Sequence, residues 1–262
     1  MINFNRIQAM LLRYFINMRH SLDRLSDMFY WPVIDLFLWG LTGLYFARLN
    51  TQNPHSMEII LTGVVFWLIV WRAQYEIGIN LLSEFWDNNL VNIFTSPLKI
   101  EEWILSVTIF GFLKMTASLI FVSLLSFILY HYNIFVYGFF IIPAVISLLL
   151  TGWTIGFLIA GVLILYGQKI QTLAWVGGAL LAPFSAIYYP LSILPLWAQK
   201  AASFIPSSYI FEGLREIIYT GNVSGYKFLI SFALNIVYLV LSILFFVYMF
   251  KKSRKLGLGR LI

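Results

Sequence analysis

The chain has no cysteine, so disulfides and thiolate metal ligands are both excluded. Charge is scarce as well. Only 11% of the 262 residues are Asp, Glu, Lys or Arg, against about 25% in an ordinary soluble domain. No loop of the form G-x-x-x-x-G-K-[ST] is present, so the chain cannot cradle a nucleotide in the P-loop manner. H-E-x-x-H and G-x-S-x-G are absent too, and the three histidines, His20, His55 and His131, fall in separate segments. Zincin and serine-hydrolase chemistry therefore have no foothold. No internal repeat is visible, which argues against carriers built from inverted repeats. The first 28 residues lack the continuous apolar core of a signal peptide.

What the chain has instead is hydrophobic sequence, 61% of the total. A soluble core of this size has no use for so much, and apolar runs of about 20 residues, long enough to cross a bilayer, recur along the chain. The pattern predicts an all-α integral membrane protein with six transmembrane helices, over 29–47, 59–80, 104–130, 139–166, 171–189 and 228–250. Before them, in residues 1–28, Phe4, Ile7, Leu11, Phe15, Met18, Leu22, Leu25 and Phe29 follow one another at intervals of three or four. That stripe, with Arg6, Arg13, Arg19 and Arg24 off it, predicts an interfacial amphipathic helix. Residues 29–250 form the transmembrane domain and 251–262 a basic tail. The net charge of +6 resides beside the spans, so it points to lipid headgroups rather than to nucleic acid. With the N-terminus inside, eleven Lys and Arg lie in inner segments and four in outer ones. The asymmetry places both termini in the cytoplasm and the chain in the plasma (inner) membrane.

Ionisable groups inside spans are expensive and mark sites worth attention. Asp35 lies in the first span, Arg72 and Glu76 in the second, and Lys114 near the middle of the third. Arg72 and Glu76 are four apart, which favours pairing along one helix face. Lys114 either pairs between helices, with Asp35 as a candidate partner, or snorkels to the interface while Asp35, Arg72 and Glu76 mark the inner surface. Gly152, Gly156 and Ala160 on the fourth span let a neighbouring helix approach closely. Trp31 suits an interfacial belt, whereas Trp39, Trp153 and Trp175 lie deeper, to line a path or to fill space between helices.

Two links carry the most information. Between the second and third spans, residues 83–98 form a short inward helix that ends at Ser96-Pro97. Leu90, Ile93 and Phe94 share one face of it, a face suited to a groove on a soluble partner. Glu84 and Asp87 add charge at its rim. Between the fifth and sixth spans, residues 190–226 hold Pro190, Pro195 and Pro206 with apolar residues such as Trp197 between them. Pieces too short to cross a membrane and broken by proline predict a re-entrant-like helical hairpin on the outer side.

Here the sequence resembles the ABC-2 family of exporter permeases. Glu84 and Thr95-Ser96-Pro97-Leu98 match the acidic residue and short helix that follow the second span in that family. Pro190, Leu194-Pro195-Leu196-Trp197, Ile205-Pro206 and Glu212-Gly213-Leu214-Arg215 resemble its stretch between spans five and six. One departure is Asn88-Asn89, where many members carry Gly-Thr. The resemblance implies a transport subunit that is not itself an enzyme. Two copies pair, and each docks one separately encoded ATPase on Glu84, Asp87, Leu90, Ile93, Phe94, Ser96 and Pro97. ATP is then held by that partner, with no cofactor on this chain. Cargo of the polysaccharide or lipid-linked glycan type and amphipathic drug-like cargo both fit. The alternative is an ion-coupled secondary carrier working through Asp35, Arg72, Glu76 and Lys114.

Overall fold

A computed structural model describes residues 2–49, 55–222 and 224–257. Among them there is no strand, and ten α-helices follow one another with short 3-10 turns between. Arg260 of the basic tail lies outside the described residues.

The surface helix α1 spans Phe4–Arg19, capped at its start by the Asn3 side chain. It buries Ile7, Met10 and Tyr14 against α5 and leaves Phe4, Leu12, Phe15 and Ile16 open on another side. It thus has one apolar face for protein and one for lipid. The helix stops at His20-Ser21, and residues 22–28, expected to extend it, instead begin the first long helix.

That helix, α2, spans Leu22–Leu49 and carries Pro32 in its interior. Next comes α3 (Ser56–Trp86), then the short α4 (Leu90–Thr95) and α5 (Ile100–Tyr130). A 3-10 turn over Ile134–Phe140 leads into α6 (Ile141–Tyr166). After α7 (Leu173–Leu181) the chain forms α8 (Leu196–Ala202), α9 (Pro206–Thr220) and α10 (Gly225–Lys255). The helices α2, α3, α5, α6 and α10 are long and apolar enough to cross a membrane.

The fifth predicted span, 171–189, is not a helix of that length. Its helical stretch is Leu173–Phe184, about 18 Å at 1.5 Å per residue, well short of a hydrocarbon core of about 30 Å. Pro183 ends it, since proline offers no N–H to continue the ladder. In the segment that follows, Pro195 precedes α8 and Pro206 opens α9 at its first turn, where a missing N–H costs nothing. The expected short helices broken by proline are therefore present.

The centre of the molecule is α3, buried along most of its length between Ile59 and Phe85. It packs on α2, α5, α6 and α7. The close approach of α6 depends on its small residues. A Cβ at Gly152 would sit 2.5 Å from Ala73 Cβ and 2.7 Å from the Val70 carbonyl, and one at Gly156 2.8 Å from Ile77 Cδ1. On its other side α6 joins α10 through neutral hydrogen bonds. Asn235 Nδ2 donates to Ser147 Oγ at 2.9 Å, Ser147 and Ser231 hydroxyls meet at 2.7 Å, and Ser231 donates to the Pro206 carbonyl at 2.7 Å. Thr151 completes the set with a 2.9 Å bond to Asn235 Oδ1.

Candidate functional site

The four intramembrane charges are arranged differently from the sequence expectation. Lys114 Nζ lies 2.5 Å from Glu76 Oε1, so its partner is on α3 and is not Asp35. Arg72 reaches away from Glu76 to α2, where Nη1 donates to Asp27 Oδ2 at 2.7 Å and Nη2 to the Asp27 carbonyl. The reason lies in the position of α3 between α2 and α5. A pair across two helices satisfies both charges and ties neighbours together, which a pair along one helix face cannot do. Arg72, Glu76 and Lys114 are all buried. Asp35, by contrast, is exposed on α2, and no ion pair or hydrogen bond forms on it among the described residues.

Pro32 opens a gap in the α2 ladder. Lacking an N–H, it leaves the Met28 carbonyl without its helical donor. Ser118 of α5 fills the gap, its Oγ donating to Met28 O at 3.1 Å. Together with Arg72 on Asp27, this fastens the inner segment of α2 to both neighbouring helices.

Two cavities lie along this side of the molecule. A chamber of about 550 Å³ is walled by Trp31, Trp39, Trp67, Trp71, Trp175 and Tyr188, with Asp35 and Arg72 among them. A second cavity of about 320 Å³ is polar, with Asp23, Arg24, Glu76, Asn80 and Lys114 on its walls. The two share Asp27, Tyr75 and Trp175 as common wall. Of the aromatic wall, Trp39 and Trp175 are in the deep set read from sequence, while Trp31, expected in an interfacial belt, faces the chamber. Trp67, Trp71 and Asp27 were missed. The signal for them was present: Asp27, Trp31, Asp35 and Trp39 recur every four residues, as do Trp67, Trp71 and Tyr75. Spacing of four puts each set on one helix face.

The inward link differs most from expectation. Leu90, Ile93 and Phe94 do not face outward but are buried within the chain. Phe94 packs edge-on to Phe250 with ring centroids 4.7 Å apart and lies 6.4 Å from Trp103. An apolar face on a six-residue helix is needed to hold that helix to its own protein. Glu84 is not rim charge either: it is 1% exposed and takes a two-pronged bond from Arg13 of α1, 2.7 Å on each oxygen. Asn89 adds a 3.1 Å bond to the same carboxylate. At the far end Arg6 Nη1 donates to the Pro97 carbonyl at 2.6 Å, and Glu102 accepts from the backbone N–H groups of Asn3 and Lys99, 2.9 Å each. Thus α1 straps both ends of the link. What remains outside is mostly polar: Asp87, Asn88, Asn92, Thr95 and Ser96, with Pro97 and the exposed Trp86.

On the other side, Glu212 and Arg215 of α9 hold the chain that follows α7. Arg215 bonds Glu212 at 2.6 Å and the Ala186 carbonyl at 2.7 Å, and Glu212 accepts the Leu191 N–H at 2.9 Å. Pro190 begins the turn this bond closes. Trp197 is exposed, edge-on to Phe184 at 6.0 Å.

Among the described residues no group of three or more His, Cys, Asp or Glu is placed to hold a metal. Several long apolar helices with buried ion pairs between them, and a polar cavity that shares a wall with an aromatic one, define a multi-pass membrane protein. Comparison with known families makes the class specific: residues 5–219 match the ABC-2 type transporter family, and the chain belongs to it. It is a membrane domain of that family and has no ATPase activity of its own. No curated protein matches the chain.

Proposed function

We propose that this chain is the permease subunit of an ATP-driven exporter, working as a pair of copies with two separately encoded ATPases. The observation that carries the reading is the strapped inward link. Its polar tip, Asp87 to Ser96, is held by α1 to the ends of α3 and α5, two of the three helices whose charges wall the polar cavity. A push on the tip is thereby delivered to the cavity walls. Docking is by the polar tip rather than by Leu90, Ile93 and Phe94, which keep the link in place.

The chain crosses the membrane six times in this reading, with both termini in the cytoplasm. The fifth crossing is completed beyond α7 by non-helical residues 185–190. Such backbone is tolerated at membrane depth only when protein shields it, and the buried Ala186 with its Arg215 bond meets that condition. The second copy sits against the exposed stripe Trp31, Ile34, Leu38, Leu41 and Tyr45 of α2, so the aromatic chamber becomes part of the path between copies. Cargo enters from the inner polar cavity. The cargo is an amphipathic molecule or a glycan.

The test is purification of the tagged full-length chain from its native membranes. A Walker A ATPase should co-purify in equal amount, and Asp87→Arg with Asn92→Trp should remove it while membrane insertion is unchanged. A chain that carries no ATPase, or a double variant that keeps it, overturns the reading. The ion-coupled carrier is disfavoured by the pairing of Arg72, Glu76 and Lys114, which leaves Asp35 as the only unpaired member of its set.

A further inference from the structure

We infer that the aromatic chamber selects a drug-sized amphipathic cation carrying one positive charge, with Asp35 as its counter-charge. The inference rests on the chamber being the export path.

The charges facing the chamber do not cancel. From α2 come Asp27 and Asp35, and from α3 comes Arg72; α5 offers Val122 and α7 offers Trp175. Arg72 already donates to the carboxylate and the carbonyl of Asp27. In the adjoining polar cavity Asp23 and Arg24 balance in number, and Glu76 and Lys114 pair. The whole inner approach therefore holds one uncompensated charge, the carboxylate of Asp35.

Its depth makes that charge expensive. Asp35 lies six residues inside the apolar span that begins at Phe29, about 9 Å by helical rise, within a hydrocarbon core of about 30 Å. A lone carboxylate there is costly, and intramembrane carboxylates mark substrate or ion routes for that reason. A ligand that brings a single positive charge removes the cost. A neutral glycan leaves it in place.

The walls favour the same ligand. Trp31, Trp39, Trp71 and Tyr188 line the same chamber as Asp35, and a ring face attracts a cation, tryptophan most strongly. The site already contains one example, the Arg72 guanidinium 5.9 Å from the Tyr75 ring centroid. Volume separates the two cargo classes too. About 550 Å³ falls inside the range of about 300–1,000 Å³ that encloses one drug-sized molecule. The chamber is an enclosure for one molecule, not a bore for a polymer. Entry is past Tyr75 and Trp175, the aromatic part of the wall shared with the polar cavity.

The test is binding of radiolabelled tetraphenylphosphonium to the purified full-length permease in nanodiscs. Triphenylphosphine oxide serves as the neutral competitor and maltoheptaose as the glycan competitor. The parent should bind the cation saturably. Asp35→Asn should weaken binding by at least about tenfold, the scale of one lost charge contact, while Asp35→Glu retains it. Trp197→Ala, outside the chamber, should bind as the parent does. Each variant is first checked for a single sharp elution peak. If Asp35→Asn elutes poorly, the competitors decide alone, because the phosphine oxide should compete at least about tenfold more weakly than unlabelled cation. No saturable binding by the parent, full binding by a well-folded Asp35→Asn, or equal competition by the neutral compound or the glycan overturns the inference. ATPase co-purification is read on the same preparation. Its retention with loss of cation binding removes the cation reading alone, whereas loss of the ATPase removes the export reading.

Discussion

Two halves of this membrane domain are held together by different chemistry. Between α6 and α10 the polar groups are neutral, and Ser147, Thr151, Ser231 and Asn235 satisfy one another and the Pro206 carbonyl. Between α2, α3 and α5 the contacts are ion pairs, with a proline gap and the two cavities beside them. A satisfied hydroxyl costs a membrane helix little, so the neutral half can pack tightly without exposing anything. A charge needs either a partner or water. The half that carries charge is also the half that holds the two cavities.

The sharpest way to break the comparison is to remove one member of a pair. Lys114→Met leaves Glu76 buried without its cation and should cost about 3–5 kcal/mol, read as a fall in melting temperature in detergent. Glu76→Gln on the same background should recover most of it. Recovery by Asp35→Asn instead would mean that Lys114 serves Asp35, contrary to the 2.5 Å contact with Glu76. Phe94→Ala ranks beside it. The ring is buried against Phe250 and Trp103, so its loss should cost about 3 kcal/mol by the usual range for a core aromatic. Loss of stability should precede any loss of ATPase. A Phe94→Ala protein as stable as the parent would return the ring to the outer face.

A smaller effect is expected at the strap. Arg13 is 29% exposed and Glu84 1%, so water can partly replace the guanidinium. Arg13→Gln should cost about 1–2 kcal/mol, between a surface pair and a buried one. If the strap transmits motion, transport should fall further than stability does. Equal decline in both would reduce α1 to an anchor. In the neutral half Ser231→Ala should cost only about 0.6 kcal/mol, the average for a hydrogen bond between membrane helices. A loss as large as that of Lys114→Met would end the distinction between the halves.

The long helices were legible because α2, α3, α5, α6 and α10 are continuous apolar runs, and apolar length is a local property. The short α7 was less so: Pro183 lies inside an apolar stretch, and the shielding that lets the chain leave the helix there comes from Arg215, 29 residues further on. Ion-pair partners were not legible. Lys114 faces α3 because of how α3 and α5 are rotated, which spacing along one chain does not encode. Asp27 was hidden because residues 22–28 continue the apolar stripe of α1. The same stripe logic misplaced Leu90, Ile93 and Phe94: an apolar face says that something covers it, not whether the cover is a partner or the chain itself.

The smallest effect tests whether location, rather than membership of a half, sets the cost of a charge. Lys227 of α10 belongs to the neutral half, yet it pairs with Glu216 of α9 at 3.0 Å. Both are partly exposed, 20% and 29%, so the pair should be worth less than about 1 kcal/mol. Hydrogen bonds from Lys227, and then from Ser224, hold the Glu216 carboxyl below the usual carboxylate range. Folding therefore favours the ionised form. Its stabilisation is fully present above the unfolded value of about 4.3 and is lost as pH falls through the lower folded one. Glu216→Gln should be slightly less stable than the parent at about pH 6, and the difference should close as the pH drops below about 4. A difference that stays constant across that window would mean the carboxylate contributes shape and hydrogen bonds but no charge. A difference of several kcal/mol at about pH 6 would mean that a pair near water can cost as much as Glu76–Lys114 does in the membrane.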